Sequence, residues 1–171
     1  HIWGIAETSD GVVYVATSEG LHRYRSEDRT FLQYSREDGL IDNTVRALLA
    51  DANGALWVGT VEGLNRHDPT RDKFETFRYA NRPNEEFATL STALRKTGDG
   101  ALWVGTNDGL YVLPAGGTRL LRFAHDPKNP SSLPHNHVRN LLVTKRGKLW
   151  VMTALGPARL QSWDGHNAVF E

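Results

Sequence analysis

The side chains that could do chemistry lie mostly in connecting segments. Ser162-Trp163-Asp164-Gly165-His166 sets an indole beside a carboxylate and an imidazole. An exposed ring there could stack on a ligand while its neighbours hydrogen-bond to it. Against this stands the commoner fate of a loop aromatic, which is to fold onto its own strand. His135 and His137 are two residues apart. In extended chain they point the same way, and with His125 or Asp126 they could approach a metal ion. Polar linker histidines without a metal are far more frequent, so no metal site is expected. Asn81-Arg82-Pro83-Asn84-Glu85-Glu86-Phe87 offers Arg82 and Glu85 in a stretch longer than its counterparts elsewhere in the chain. It reads as a recognition loop or as a tolerated insertion. The candidate ligand-binding residues are therefore Trp163, His166, Arg82, Glu85, His135 and His137.

Other residues tempt and are set aside. Trp57, Trp103 and Trp150 occupy one repeated slot. Repeated slots fill a core, whereas recognition belongs to loops. Arg23, Arg66 and Arg159 also share a position. They could grip an anion bidentately, but long basic stems laid over a sheet edge explain them as well. There is no glycine-rich phosphate loop, no nucleophile elbow and no His-Glu-x-x-His. Aspartates fall in turns, where they serve backbone geometry. No catalytic residue and no cofactor is expected.

The elements that hold these residues are repeats. Ala55-Leu56-Trp57-Val58-Gly59-Thr60 returns as Ala101-Leu102-Trp103-Val104-Gly105-Thr106, and more weakly as Lys148 to Thr153 and Val12 to Thr17. The preceding glycines Gly11, Gly54, Gly100 and Gly147 recur every 43 to 47 residues. Four-stranded propeller blades and multi-helix repeats both have such periods. The pattern inside the unit decides. Val45 to Ala50 is a short apolar run, Asn53-Gly54 is a hairpin signal that predicts a type I′ turn, and Leu56 to Thr60 follows. A second turn at Gly63 leads to Leu64-Asn65-Arg66-His67. After Asp68 to Asp72, Phe74 to Tyr79 alternates as an outer strand. No segment sustains a helical period. A lone meander of this length cannot bury both faces, but stacked copies can. Trp57 and Gly59 share one face, which predicts that a ring on one blade needs room on the next. Met152 breaks that rule in the last unit.

These motifs resemble the two-component-regulator propeller repeat. The resemblance is strongest from Asp38-Gly39-Leu40 through Gly63-Leu64-Asn65-Arg66, and in the linker His125-Asp126-Pro127-Lys128-Asn129-Pro130 with Asn136-His137-Val138-Arg139. It implies an all-β propeller of four consecutive four-stranded antiparallel blades, at about 1–43, 44–88, 89–136 and 137–171. The chain starts on an inner strand and ends on an outer one, so it is expected to be an arc of a larger, seven-bladed ring. The resemblance further implies a ligand-sensing, periplasmic region of a membrane-bound histidine kinase or diguanylate cyclase. Partners would be a small-molecule or carbohydrate ligand, the remaining blades and downstream domains of the same chain, and a second copy in a homodimer. Alternatives are a propeller lyase or hydrolase, or an interaction scaffold.

Composition narrows the classes. Twenty basic and twenty acidic side chains give zero net charge, which leaves no electrostatic footprint for nucleic acid. There is no cysteine, hence no disulfide or thiolate metal site. No apolar run nears the ~20 residues of a spanning helix.

Overall fold

A computed structural model describes residues 1–79 and 90–171. Its strands form four antiparallel sheets of four. The first holds β1 (Ile2–Glu7), β2 (Val13–Thr17), β3 (Gly20–Arg25) and β4 (Thr30–Tyr34); the second holds β5 (Val45–Ala50), β6 (Leu56–Thr60), β7 (Gly63–Asp68) and β8 (Lys73–Arg78). The third holds β9 (Ser91–Lys96), β10 (Leu102–Thr106), β11 (Gly109–Leu113) and β12 (Leu121–Phe123); the fourth holds β13 (Val138–Val143), β14 (Leu149–Thr153), β15 (Gly156–Trp163) and β16 (Ala168–Phe170). Strands neighbour in chain order within every sheet. The chain divides into two compact units, His1–Arg78 and Tyr79–Glu171, so each unit is a pair of blades.

The first hairpin of each blade differs from the expected type I′ turn. Gly54 N–H donates to Asp51 O at 3.0 Å and Asp51 N–H to Ala55 O at 2.9 Å. Gly54 has φ +79°, while Asn53 is not among the residues with positive φ. This is a type I turn closed by a left-handed glycine, the three-residue hairpin. Thr8–Val12, Thr97–Ala101 and Thr144–Lys148 repeat the pattern. Only the glycine needs the left-handed region, so Arg146 before Gly147 costs nothing.

The second turn explains the threonine that ends each β2-type strand. Thr17, Thr60, Thr106 and Thr153 donate through Oγ1 to the carbonyls of Gly20, Gly63, Gly109 and Gly156 at 2.9, 3.0, 2.8 and 2.7 Å. The same oxygens accept backbone N–H groups from Glu19, Glu62, Asp108 and Leu155. The hydroxyl thereby satisfies two backbone groups that a tight turn leaves without ladder partners. At Gly63 a β-carbon would lie 2.2 Å from Phe77 O, with φ at +154°. Glycine is required there by contact and by backbone together.

Within the first unit, Tyr14, Ala16 and Leu21 of the first blade pack with Val45, Leu48 and Val58 of the second. Within the second unit, Trp103 and Leu110 pack with Val138, Leu141 and Val151. The room that Gly105 leaves is filled by aliphatic side chains of the next blade, Val138 and Leu141, and not by the expected ring. A β-carbon there would sit 2.8 Å from Val138 Cγ1. Met152 in the corresponding slot of the fourth blade is 47% exposed, beside Trp150 and Leu142, which are exposed as well.

Strand order gives every blade two ends. The first and third hairpins share one, the hairpin end. The starts of β1, β5, β9 and β13, the described inter-blade connectors and the second turns lie at the other end of their own blades, the connector end.

Candidate functional site

The connector end carries the most distinctive backbone feature of the repeats. Each inner strand has a one-residue irregularity at its second position. Register shifts fall between Ile2 and Gly4, between Val45 and Ala47, opposite Gly105/Thr106 where Ser91 and Ala93 pair, and between Val138 and Asn140. The unpaired residues are Trp3, Arg46, Thr92 and Arg139. A bulge re-aims its side chain out of the strict in-out alternation. The flanking positions build the blade, whereas the bulged position varies freely in chemistry from unit to unit.

In the first unit two bulged residues meet. The Arg46 guanidinium lies 3.6 Å from the centroid of the Trp3 ring, close enough for a cation–π contact. Trp3 remains 43% exposed. Other connector-end arginines face carboxylates. Arg36 meets Asp42 at 3.6 Å, Arg78 meets Glu62 at 3.7 Å and Arg122 meets Asp108 at 2.7 Å. Among the described residues neither Arg46 nor Arg139 has such a partner.

At the hairpin end of the first unit a buried polar cluster joins the two blades. His67 is 1% exposed. Its Nε2 lies 2.9 Å from Asp72 Oδ1, and Tyr34 donates its hydroxyl to the same oxygen at 2.8 Å. The rings of Tyr14, Tyr34 and Phe74 surround the imidazole. Burial pushes the Tyr34 hydroxyl up to about 12, and the Asp72 carboxylate beside it adds to the rise. For Asp72, burial works to raise the pKa, but hydrogen bonds from His67 and Tyr34 and the charges of His67 and Arg23 outweigh it and hold the carboxyl below its ordinary value. An open cavity of about 560 Å³ abuts the cluster, with Arg66, Arg71 and Lys73 in its lining.

The sequence candidates are scattered. Trp163 packs edge-on against Trp103 at 5.1 Å and Phe123 at 5.9 Å, so much of its ring belongs to the core of the second unit. His166 is exposed in the β15–β16 turn, where its N–H donates to Asp164 Oδ1 at 2.8 Å. Three donors on Asp164, from the Asn167 backbone, the Asn167 side chain and the His166 backbone, hold that carboxyl at about 2. His135 and His137 lie at the opposite end of the same blade. His135 Nδ1 accepts the His137 N–H at 2.9 Å. His125 Nδ1 pairs with Leu133 O at 2.7 Å. Among the described residues no three His, Asp or Glu side chains converge as metal ligands would. Arg82 and Glu85 lie outside the described residues.

The repeated arginines take an ordinary position. Arg23, Arg66 and Arg159 pair across the ladder with Tyr14, Trp57 and Trp150. Arg66 reaches Glu75 at 4.0 Å and Arg159 reaches Glu171. Sequence reasoning passed over Trp3, Arg46 and Arg139 because the inner strands read as mainly apolar. The signal was present: a large aromatic or a cation follows the first apolar residue of three inner strands.

The family model of the two component regulator propeller matches residues 39–62 and 132–154. These two segments are similar to the two component regulator propeller repeat. Both matched segments run from a connector through an inner strand toward or into the second turn, which is the region that holds the bulges. Among solved structures the repeats superpose on the extracellular domain of the hybrid two component system BT4673 of B. thetaiotaomicron with a TM-score of 0.78 and 27% identity, over 95% of this chain and 21% of that one. A second B. thetaiotaomicron extracellular domain, that of the hybrid two component system BT3049, gives a TM-score of 0.76 at 23% identity over 99% of this chain and 23% of the other. Virginiamycin B lyase from Staphylococcus aureus gives 0.69 at 13% identity over 99% of this chain and 54% of the lyase; that likeness is one of fold. The chain thus spans about a fifth of the length of the extracellular domains it matches. A search of curated proteins returned no match.

Proposed function

We propose that these blades are part of the ligand-sensing, extracytoplasmic region of a bacterial signal-transduction protein. The observation that carries this reading is the 27% identity, sustained over 95% of the chain, with the extracellular domain of a hybrid two component system. The parent would be a histidine kinase or a diguanylate cyclase, anchored in the membrane and working as a homodimer. The blades bind and transmit; they do not turn over a substrate. Among the described residues no set of metal ligands converges, and the lyase-like reading rests on fold similarity.

The test is made in the parent protein. Its output, phosphotransfer or cyclic dinucleotide synthesis, is followed while saccharides and metabolites are added. The reading expects a ligand that changes output and also binds the purified sensor region by calorimetry. A sensor region that can be deleted without changing output would overturn it.

A further inference from the structure

The outer strand of each blade leaves one edge of its sheet open, and a bare edge is a template for another strand. Three of the four outer edges are guarded. β8 carries Lys73, Glu75 and Arg78. β12 has only three residues, and its Arg122 is held by Asp108 at 2.7 Å. β16 is equally short, and its Phe170 N–H donates to Ser131 O of the connector at 2.9 Å. β4 has none of these devices. Thr30-Phe31-Leu32-Gln33-Tyr34 contains no charge and no proline, and it pairs with β3 without a bulge. Phe31 is 55% exposed and Leu32 37%. We propose that β4 is a homodimer contact, in which two copies of the chain pair their β4 edges antiparallel about a two-fold axis at Leu32.

The backbone fixes which groups face outward. Tyr34 O lies 2.3 Å from the place a β-carbon on Gly20 would take, so this carbonyl is turned toward β3. Orientation alternates along a strand, which turns the N–H and C=O of Phe31 and Gln33 away from the sheet. Among the described residues no turn or loop backbone meets these groups.

Phe31 and Gln33 stand symmetrically about Leu32. With Leu32 opposite Leu32, Phe31 of each copy faces Gln33 of the other. Every outward donor of one copy then meets an outward acceptor of the other. A two-fold contact of this kind uses up both edges and stops there. Charge agrees with the register. No like charges face each other within the strand, and the continued register sets the exposed Asp28 of one copy toward the exposed Arg36 of the other. The contact is small, so a dissociation constant of roughly 10–500 µM is expected. Anchoring in a membrane would raise the effective concentration toward that range. The inference gives the homodimer of the proposed parent a surface, and it rests on the sensor reading only for its role in signalling.

The experiment is sedimentation velocity of the full chain, from about 10 µM to about 1 mM, with Leu142→Lys and Met152→Lys present to silence the apolar face of the fourth blade. A monomer–dimer equilibrium that ends at the dimer is expected. Gln33→Pro removes an outward N–H and spares the ladder to β3, so it should weaken the dimer at least about tenfold. Gln33→Ala loses the side-chain bond to Glu19 O but keeps the N–H, and should stay within about threefold of the parent chain. Cysteines give a second readout in a chain that has none of its own. Opposed Leu32 positions form a pair without mutual backbone bonds, with Cα atoms about 4.5 Å apart, which a disulfide spans. The two Phe31 positions lie on a diagonal of about 7–8 Å, beyond its reach. Oxidation should therefore cross-link Leu32→Cys at least about tenfold faster than Phe31→Cys. This pair carries the test if the proline variant fails to fold. A chain that stays monomeric throughout, Gln33→Pro dimerising as tightly as Gln33→Ala, equal cross-linking at both cysteines, or association running on past the dimer would overturn the contact. Gln33→Pro in the parent protein separates the two readings. A lost dimer in the chain with unchanged output in the parent keeps the contact and removes its role in signalling. Altered output with self-association of the chain untouched removes the contact and leaves the sensor reading in place.

Discussion

Replacing Asp72 probes how the first two blades are tied together. Its Oδ1 serves both His67 Nε2, at 2.9 Å, and the Tyr34 hydroxyl, at 2.8 Å. Removal leaves the imidazole, which is 1% exposed, without its partner. An unsatisfied buried polar group costs about 1–3 kcal/mol. The backbone adds a second contribution, because Asp72 has φ +52°. Asparagine tolerates that region, glycine favours it, and alanine pays roughly a further 1 kcal/mol. Asn also keeps an acceptor for both donors. The expected losses are under about 1 kcal/mol for Asp72→Asn, about 1–2 for Asp72→Gly and about 2–3 for Asp72→Ala. At roughly 2–4 °C per kcal/mol for a chain of this size, alanine should lower the melting temperature by about 5–10 °C. Urea or thermal unfolding followed by tryptophan fluorescence measures the series. There is also a pH signature. The folded-state pKa of Asp72 lies below its ordinary value of 3.8, so the carboxylate's contribution is complete above that value and is lost as pH falls below it. Asp72→Asn should flatten the acid limb of the stability curve. Alanine and asparagine variants of equal stability, or glycine less stable than alanine, would refute this account.

Other substitutions test the remaining joints. Gly63→Ala combines a carbonyl contact of 2.2 Å with φ +154° and should cost roughly 2–4 kcal/mol, whereas Gly156→Ala, with nothing within 4 Å, should cost only the backbone strain of about 1–2. Denaturant midpoints compare the two. Trp103→Ala empties a site that is 0% exposed and should cost about 3–5 kcal/mol, while Trp150→Ala, at 39% exposure, should cost about 1 or less. Thr106→Val removes the hydroxyl that bridges Gly109 O and Asp108 N–H, at 2.8 and 3.0 Å, and should cost about 1–2 kcal/mol. The apolar side chains Leu142, Trp150, Met152 and Leu155 lie exposed on the fourth blade. Sedimentation should therefore show concentration-dependent self-association of the chain, weakened by Leu142→Lys with Met152→Lys.

The strands were legible because two local rules coincide. Apolar residues alternate with period 2, and glycines stand wherever the backbone must turn through positive φ. The same rules misread the first hairpin. Asn53-Gly54 signals a two-residue turn, yet Asp51 Oδ1 accepts from both Asn53 N–H and Ala55 N–H and stabilises the three-residue form. That competition comes from a side chain two residues earlier, outside the dipeptide. Tertiary placement was less legible. The motif around Trp163 allows a ligand platform or an aromatic folded onto its own blade, and it does not name the bed that Trp103 and Phe123 of the preceding blade supply for the ring. His67 gave no warning, because its partner Asp72 is defined only by the geometry of the β7–β8 turn. Arg46 stands in plain view in the sequence. One cation in an apolar strand looks like noise until a bulge turns it toward Trp3.

The central claim is that these blades sense rather than catalyse or merely connect. Its most direct measurement is the output of the intact parent protein when an oligosaccharide that binds the purified sensor region is added. The account predicts a dose-dependent change in phosphotransfer or cyclic dinucleotide synthesis with a midpoint that follows the binding constant. Output that stays constant while the sensor region is saturated with ligand would contradict it.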